Sequence, residues 1–292
     1  MEKRISGRTG LLALFGRPVG HSGSPAMYNF SFARTGLDYV YLAFEVGPEN
    51  LKEALAAMRL LNLRGANVTM PCKNIAAELV DELSPAARIV GAINTIVNDG
   101  GRLTGHITDG LGFVRALNEE GVEVRGKKIV VLGAGGAGTA LQVQCALDGA
   151  RSIQVFNQDD SFLVRAGQTA VKLAEAAPAC KIEVHDLADA RRLAEEIASA
   201  DILVNSTSVG MKPDQDRTLA AKELLHPGLV VSDTVYNPEK TRLILEAEEK
   251  GLTAIGGRGM LLWQGAAAFK LFTGLEMPAY EYQEFQKTAG SR

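Results

Sequence analysis

The sequence predicts an α/β fold in two domains, the second built on a doubly wound sheet. Three observations predict it. Short apolar runs alternate with helical stretches along the whole chain, the rhythm of strands joined by crossover helices. A length of 292 residues is long for one core and comfortable for two. The β-rich run Ile129-Val130-Val131-Leu132 leads straight into Gly133-Ala134-Gly135-Gly136-Ala137-Gly138, a spacing that turns a strand into a helix.

The elements follow in order. In the first third, strands are expected at 11–15, 39–44, 65–68, 92–97 and 102–106, where β-branched and aromatic residues gather between turn residues. Helices are expected at 25–35, 49–60, 75–83 and 111–120. A polar turn, 121–128, opens the second series. Its strands fall at 129–132, 153–156, 182–185, 202–204, 229–231 and 253–255, with helices at 138–147, 162–176, 187–198 and 239–250. Strands separated by crossovers in this way describe a Rossmann-type sheet. The stretch 260–272 is apolar on nearly all sides and reads as a buried helix. The C-terminal helices, about 260–292, are expected to pack against the first domain. The domains are then 1–110 with those helices, and 111–259. No repeat, low-complexity tract or long linker interrupts them.

The glycine turn carries the first chemistry. Gly133 permits the sharp turn, Gly135 lets a pyrophosphate approach the backbone, and Gly138 lets helix and strand pack closely. The helix N-terminus then offers free N–H groups and a positive dipole end to negative charge. A tight turn without a ligand has the same spacing; the strand before it and the helix after it favour the ligand. The second strand ends in Phe156-Asn157-Gln158-Asp159-Asp160, where a ribose reader belongs. An acid there accepts from a 2′-hydroxyl and repels a 2′-phosphate. Two unit charges ~4 Å apart cost about 4 kcal/mol at an effective dielectric of ~20. No Arg or Lys follows before Arg165. Asp159 and Asp160 therefore favour NAD over NADP, with Asn157 beside them at the cofactor, solvated loop acids being the alternative.

Composition excludes several classes. Hydrophobic residues at 46% and charged residues at 22% suffice for two cores. The net charge of −3, from 31 basic and 34 acidic residues without a basic block, argues against nucleic acid as a partner. No run of ~18 apolar residues predicts a membrane span. Residues 1–10 are polar and do not read as a signal peptide. Cys72, Cys145 and Cys180 are odd in number and form no C-x-x-C, which suits the cytoplasm. His21, His106, His185 and His226 are not spaced as ligand pairs, so no metal is expected. Oligomeric state is not legible; a homodimer is among the allowed arrangements.

Two further segments look chemical. Asn67-Val68-Thr69-Met70-Pro71-Cys72-Lys73 puts a lysine at a helix start, and Thr108-Asp109-Gly110 puts an acid after a strand. Such a pair, brought together, can move a hydroxyl proton. Spacing alone does not show the pairing, and a surface lysine would look the same.

With Gly20-His21-Ser22-Gly23-Ser24-Pro25, Gly91-Ala92-Ile93-Asn94-Thr95, Val235-Tyr236-Asn237-Pro238 and Gly259-Met260-Leu261-Leu262-Trp263-Gln264-Gly265-Ala266, these motifs extend over nearly the whole chain. In this set and order the sequence resembles the shikimate dehydrogenases, within them the quinate/shikimate dehydrogenase branch. The resemblance implies a substrate domain before the cofactor domain and an active site in the interdomain cleft. It implies that Ser22 and Ser24 bind the substrate carboxylate with Tyr236 nearby. Thr69, Asn94, Asp109 and Gln264 would hold the ring hydroxyls, and Lys73 and Asp109 would form the catalytic pair. Gly133, Ala134, Gly135, Gly136 and Ala137, with Val235 and Gly257, would lie along the cofactor. Neutral Ser, Thr, Asn and Gln suit a polyhydroxy acid, because a buried hydroxyl without a partner is costly.

Three positions depart from the family pattern. Ile107 replaces an Asn before Thr-Asp, Gly23 replaces a Lys or Leu between the serines, and Gln158 replaces the Arg of NADP-using members. The implied reaction is hydride transfer between a nicotinamide and shikimate, with 3-dehydroshikimate as the ketone and quinate as a second substrate. Rival readings are a quinate-preferring enzyme, an aminoshikimate enzyme, and a non-catalytic nucleotide-responsive regulator. Cys72 beside Lys73 could be an acidic, reactive thiol; a buried filler is the preferred reading. His21 and His106 flank the site and read as packed rather than catalytic.

Overall fold

The computed structural model describes residues 5–289. Residues 1–4 of the polar start and 290–292 of the C-terminal stretch lie outside the described residues. The chain divides into two compact units, Met1–Thr108 with Gln264–Arg292, and Asp109–Trp263.

In the first unit β1 (Gly10–Gly16) pairs in parallel with β2 (Tyr39–Glu45) and β3 (Gly65–Val68). α2 (Leu51–Leu60) leads into β3, and after β3 come α3 (Lys73–Leu79), β4 (Glu82–Leu83) and α4 (Pro85–Val90). β5 (Thr95–Asp99) runs antiparallel to β3 and to β6 (Arg102–His106), and β4 adds in parallel to β6. The order is β2-β1-β3-β5-β6-β4. Leu12, Ala13, Leu14 and Phe15 are all buried, as consecutive residues of a strand covered on both faces must be.

Register decides where the functional residues meet. Phe15 lies opposite Val68, Asn67 opposite Thr95, and Thr95 opposite His106. The ends of β1, β3 and β6 and the start of β5 therefore share one edge. The loop before α1 (Ser24–Thr35), residue Thr69, the start of α3, Asn94 and Thr108 all hang from that edge.

Two helices close the unit, the C-terminal half of α10 (Arg258–Thr273) and α11 (Ala279–Ala289). Phe269 of α10 stacks on Phe32 with ring centroids 5.5 Å apart, and Phe272 meets Tyr28 edge-on at 6.2 Å. Gly65 admits Phe272: a Cβ there would lie 2.5 Å from its ring.

One expected element differs. The stretch 75–83 is not one helix. α3 stops at Leu79, Val80 is extended, and Glu82–Leu83 pairs with β6. The Asp81 carboxylate takes the Leu103 N–H at 2.7 Å and draws the chain onto the sheet edge. Ser84 then caps α4, with Pro85 in its first turn.

The second unit starts with α5 (Asp109–Glu119). Then come β7 (Lys128–Leu132), α6 (Gly136–Leu147), β8 (Ser152–Asn157), α7 (Ser161–Ala176), β9 (Lys181–Asp186) and α8 (Ala190–Ala198). β10 (Ile202–Asn205), β11 (Val230–Asp233), α9 (Arg242–Glu249) and β12 (Ala254–Ile255) complete it. Its sheet is wholly parallel in the order β12-β11-β10-β7-β8-β9. Winding reverses between β7 and β10, the place where such sheets bind ligands. Val130, Leu132, Phe156, Leu203 and Val231 lie in the core on one side, under Leu193, Ile197 and Leu243 of the helices. Among the described residues no helix is long and apolar enough to cross a membrane.

Candidate functional site

In the first unit the site is built around Asn94, only 3% exposed. Its Oδ1 accepts the Thr108 main-chain N–H at 2.9 Å. Its Nδ2 donates to Thr108 Oγ1 at 2.9 Å and to Gln264 Oε1 at 3.4 Å. Asn94, Thr108 and Gln264 thus form one uncharged cluster of amides and a hydroxyl. Thr108 belongs to it as fully as the expected residues; its place in the Thr-Asp-Gly motif was the available signal.

Lys73 opens α3, and its carbonyl accepts from Ile93 N–H at 3.0 Å, one residue before Asn94. The lysine backbone is therefore tied directly to the loop ahead of β5 that carries Asn94. Thr69 N–H is held by the Phe15 carbonyl at 2.9 Å, and its own carbonyl takes Cys72 N–H at 2.9 Å, forming the turn that leads into α3. Ser22 and Ser24 are half-buried, and Ser22 Oγ accepts the Ser24 N–H at 3.2 Å. That bond orders the loop ahead of α1 without consuming the Ser24 hydroxyl.

Cys72 is fully buried, and its thiol donates to the Val46 carbonyl at 3.4 Å. Burial pushes the thiol up, with the Glu49 charge adding to it. It is a packed cysteine, not a reactive one. His106 is half-buried, and desolvation pushes its imidazole down toward the neutral form.

In the second unit Asp109 is the first residue of α5 and is 9% exposed. Gly110 behind it allows close packing: a Cβ there would lie 2.4 Å from the Ala140 carbonyl of α6. The motif glycine thus sets how α5 seats and where Asp109 begins.

The glycine turn has the geometry that a dinucleotide needs. Gly133 has φ +106°, which only glycine adopts without strain. Gly138 presses on it, since a Cβ there would lie 2.4 Å from the Gly133 carbonyl. Around Gly135 and Gly136, by contrast, a Cβ would meet nothing within 4 Å. The turn is tight behind and open in front, and the N-terminus of α6 opens on that side. These residues fit a pyrophosphate. Ala134 is turned inward, its N–H donating to Asn157 Oδ1 at 3.0 Å.

The acids after β8 divide their tasks. Asp160 is the N-cap of α7, its Oδ1 accepting from Phe162 N–H at 2.7 Å and Leu163 N–H at 3.3 Å. Asn157 Nδ2 reaches the same oxygen at 3.0 Å, and Gln158 Nε2 reaches Oδ2 at 3.2 Å. Asp159 is exposed. Nothing in the run Asn157-Gln158-Asp159-Asp160 itself separates the two acids.

At the ends of β10 and β11 lies a pocket of about 310 Å³ lined by Thr207, Ser208, Met211, Thr234, Val235, Tyr236 and Asn237. Tyr236 is half-exposed there. Val235 N–H donates to Asp233 Oδ1 at 2.9 Å, and the Val235 carbonyl accepts from Gly257 N–H at 3.3 Å. Gly257 fits because a Cβ would lie 2.3 Å from the Thr234 carbonyl. Thr207 and Ser208 were not anticipated; a polar run directly after a strand at the winding reversal was the signal.

Among the described residues Glu183, His185 and Glu196 bring ligand atoms within 4.8 Å of one another. Their carboxylates are already balanced by cations, Lys128 at 2.6 Å and Arg192 at 2.6 Å on Glu196, and Lys181 at 2.9 Å on Glu183.

Comparison with known proteins follows the same lines. A model described as the shikimate dehydrogenase substrate binding domain matches residues 14–96. One described as the shikimate 5'-dehydrogenase C-terminal domain matches residues 257–281. A shikimate dehydrogenase (NADP(+)) of Listeria monocytogenes is 50% identical over 279 residues, 95% of this chain and 96% of that one. A quinate/shikimate dehydrogenase of Escherichia coli is 46% identical over 275 residues, 94% of this chain and 95% of that one. The crystal structure of shikimate 5-dehydrogenase from Listeria monocytogenes in complex with shikimate and NAD aligns with a TM-score of 0.94 and 49% identity, covering 98% of this chain and 99% of that one. With half of its residues identical to such a relative over nearly its full length, the chain belongs to the shikimate dehydrogenase family.

Proposed function

We propose that this protein transfers a hydride between a ring carbon of shikimate and a nicotinamide cofactor, with quinate as a second substrate of the same chemistry. The observation that carries the reading is the uncharged Asn94, Thr108 and Gln264 cluster on the sheet edge that also carries Lys73. Such a cluster matches ring hydroxyls, and a substrate lacking them would leave it unpaired at a cost of about 1–3 kcal/mol per group.

Lys73 takes the proton of the reacting hydroxyl on oxidation and returns it on reduction, with Asp109 as the acid paired with it on the substrate. Ser22 and Ser24 hold the substrate carboxylate, and Tyr236 serves it from the β11 loop. Thr69 joins the ring-hydroxyl set. Gly133 to Ala137 hold the pyrophosphate, and Val235 and Gly257 shape the nicotinamide end. The dinucleotide supplies the hydride acceptor. Asp159 reads the ribose, while Asp160 is spent on capping α7. That favours NAD over NADP, although relatives carry either cofactor in their names. Three buried free thiols suit a reducing compartment, the cytoplasm.

The decisive experiment is a nicotinamide absorbance assay with shikimate and quinate, each with NAD and NADP. Shikimate turnover with a higher kcat/KM for NAD is expected; no turnover of either acid would overturn the function. Lys73→Ala should lower kcat at least ~10²-fold with NAD binding kept; unchanged turnover would remove Lys73 from proton transfer.

A further inference from the structure

Behind Asn94 lies a chain of buried polar groups whose donor direction can be read bond by bond. The Asn94 main-chain carbonyl can only accept, so the Asn67 atom 3.1 Å from it is the amide nitrogen. The same Nδ2 donates to Thr95 Oγ1 at 3.1 Å. Asn67 Oδ1 is left to accept the Tyr41 hydroxyl proton at 2.8 Å. Thr95, already an acceptor from Asn67, gives its own proton to Asn94 Oδ1 at 3.0 Å. The Thr108 main-chain N–H, which can only donate, reaches the same oxygen at 2.9 Å, and the Thr108 hydroxyl lies 3.2 Å from it. Asn94 Nδ2 must therefore point away from the relay, toward Thr108 Oγ1 and Gln264 Oε1. Tyr41 and Thr95 are fully buried and Asn67 is 7% exposed, so water does not scramble the order.

We propose that Thr95, backed by Asn67 and Tyr41, is a positioning residue for substrate recognition: it locks the Asn94 amide with its N–H groups outward, so that a ring hydroxyl is read there as an acceptor. This rests on the assignment of Asn94 to the ring hydroxyls made above. The bond from Asn94 Nδ2 to Gln264, the longer of the two that this nitrogen makes to Thr108 and Gln264, is the one a hydroxyl takes over. An ammonium group in its place has no lone pair to offer and is refused, which separates hydroxylated from amino-substituted ring acids.

Two substitutions divide shape from hydrogen bonding. Thr95→Val keeps the volume and deletes the hydroxyl; Thr95→Ser keeps the hydroxyl and deletes the methyl. In the full-length protein, Thr95→Val should raise KM for shikimate about tenfold, the worth of one buried hydrogen bond, while KM for NAD stays within about twofold. Thr95→Ser should stay within about threefold of wild type on both. Tyr41→Phe, which loses one oxygen atom, should move shikimate KM in the same direction as Thr95→Val and is the reading to use if that variant fails to fold. The Asn94 side-chain amide protons should exchange faster with solvent in both Thr95→Val and Tyr41→Phe, measured by NMR without ligand. Lowered melting temperatures with shikimate KM unchanged would overturn the proposal, as would Thr95→Ser failing as badly as Thr95→Val. If wild type turns over no shikimate, the functional reading has failed instead, and the amide exchange alone decides whether the relay exists.

Discussion

Asp233 shows what one buried residue can do for a loop. It ends β11 at 1% exposed and holds three donors: Asn205 Nδ2 at 3.0 Å, Val235 N–H at 2.9 Å and Thr241 Oγ1 at 2.7 Å. It thereby fixes the turn that carries Val235 and Tyr236. Burial pushes its carboxyl up from the ordinary value even though all three hydrogen bonds pull the other way. A raised folded-state pKa means that the folded chain holds the proton more tightly than the unfolded one. Its contribution is then full below the ordinary aspartate value of ~3.9 and is lost as pH rises through the raised one, at up to ~1.4 kcal/mol per pH unit. Asp233→Asn removes the titration, and the Thr241 hydroxyl can turn to accept from the new amide. In urea unfolding, the stability of wild type relative to Asp233→Asn should fall as pH rises across that window. A difference that is flat or rises with pH would show that this carboxyl does not govern the loop. None of this was legible in the sequence, where Asp233 is one acid among 34 and its burial depends on the partners of β11.

At the scale of elements, legibility followed how local the cause is. The strand–glycine–helix unit at β7 and α6 could be read directly, because its causes lie within ten or so consecutive residues: the Gly133 turn, the Gly138 contact and the apolar strand before them. The segment from α3 to α4 could not. Its pattern suits a helix, and what breaks it is a bond from Asp81 to Leu103, on a strand distant in sequence. The β8–α7 junction lies between these cases: two adjacent acids were visible, but which one caps depends on where α7 begins. The division of labour has a test. Asp160→Ala should cost about 0.5–2 kcal/mol of stability, the usual worth of an N-cap. Asp159→Asn should leave stability unchanged, since the side chain is exposed, and should raise KM for NAD while easing use of NADP. Thermal melts and cofactor kinetics on the two variants check both halves. If Asp159→Asn left the NAD-to-NADP ratio of kcat/KM at the wild-type value, the ribose would be read elsewhere.

At the scale of the whole molecule, the sequence showed two cores and the order of their elements, because α/β alternation repeats along the chain. It could not show the Tyr41–Asn67–Thr95 relay, since those residues meet only through the register of β2, β1, β3 and β5. The thiols turn the two cores into a measurement. Cys72 lies in the first unit, Cys145 and Cys180 in the second, and all three are buried and free. Burial pushes Cys145 far up and Cys180 up to about 11, so neither forms a thiolate near neutrality while folded. A thiol reagent should therefore label none of them in the native protein. Through a urea series read by peptide mass, Cys145 and Cys180 should become reactive in one step, because they belong to one unit, and Cys72 in its own. A ligand that binds only the folded form stabilises what it binds by about 2.7 kcal/mol at ~100 times its Kd. NAD should then move the Cys145 and Cys180 step to higher urea more than it moves Cys72. Shikimate should do the reverse, because Thr69, Lys73 and Asn94 lie in the unit of Cys72. If NAD protected Cys72 and left the other two where they were, the glycine turn would not be the dinucleotide site. If every ligand moved all three together, the chain would unfold as one cooperative body despite its two sheets.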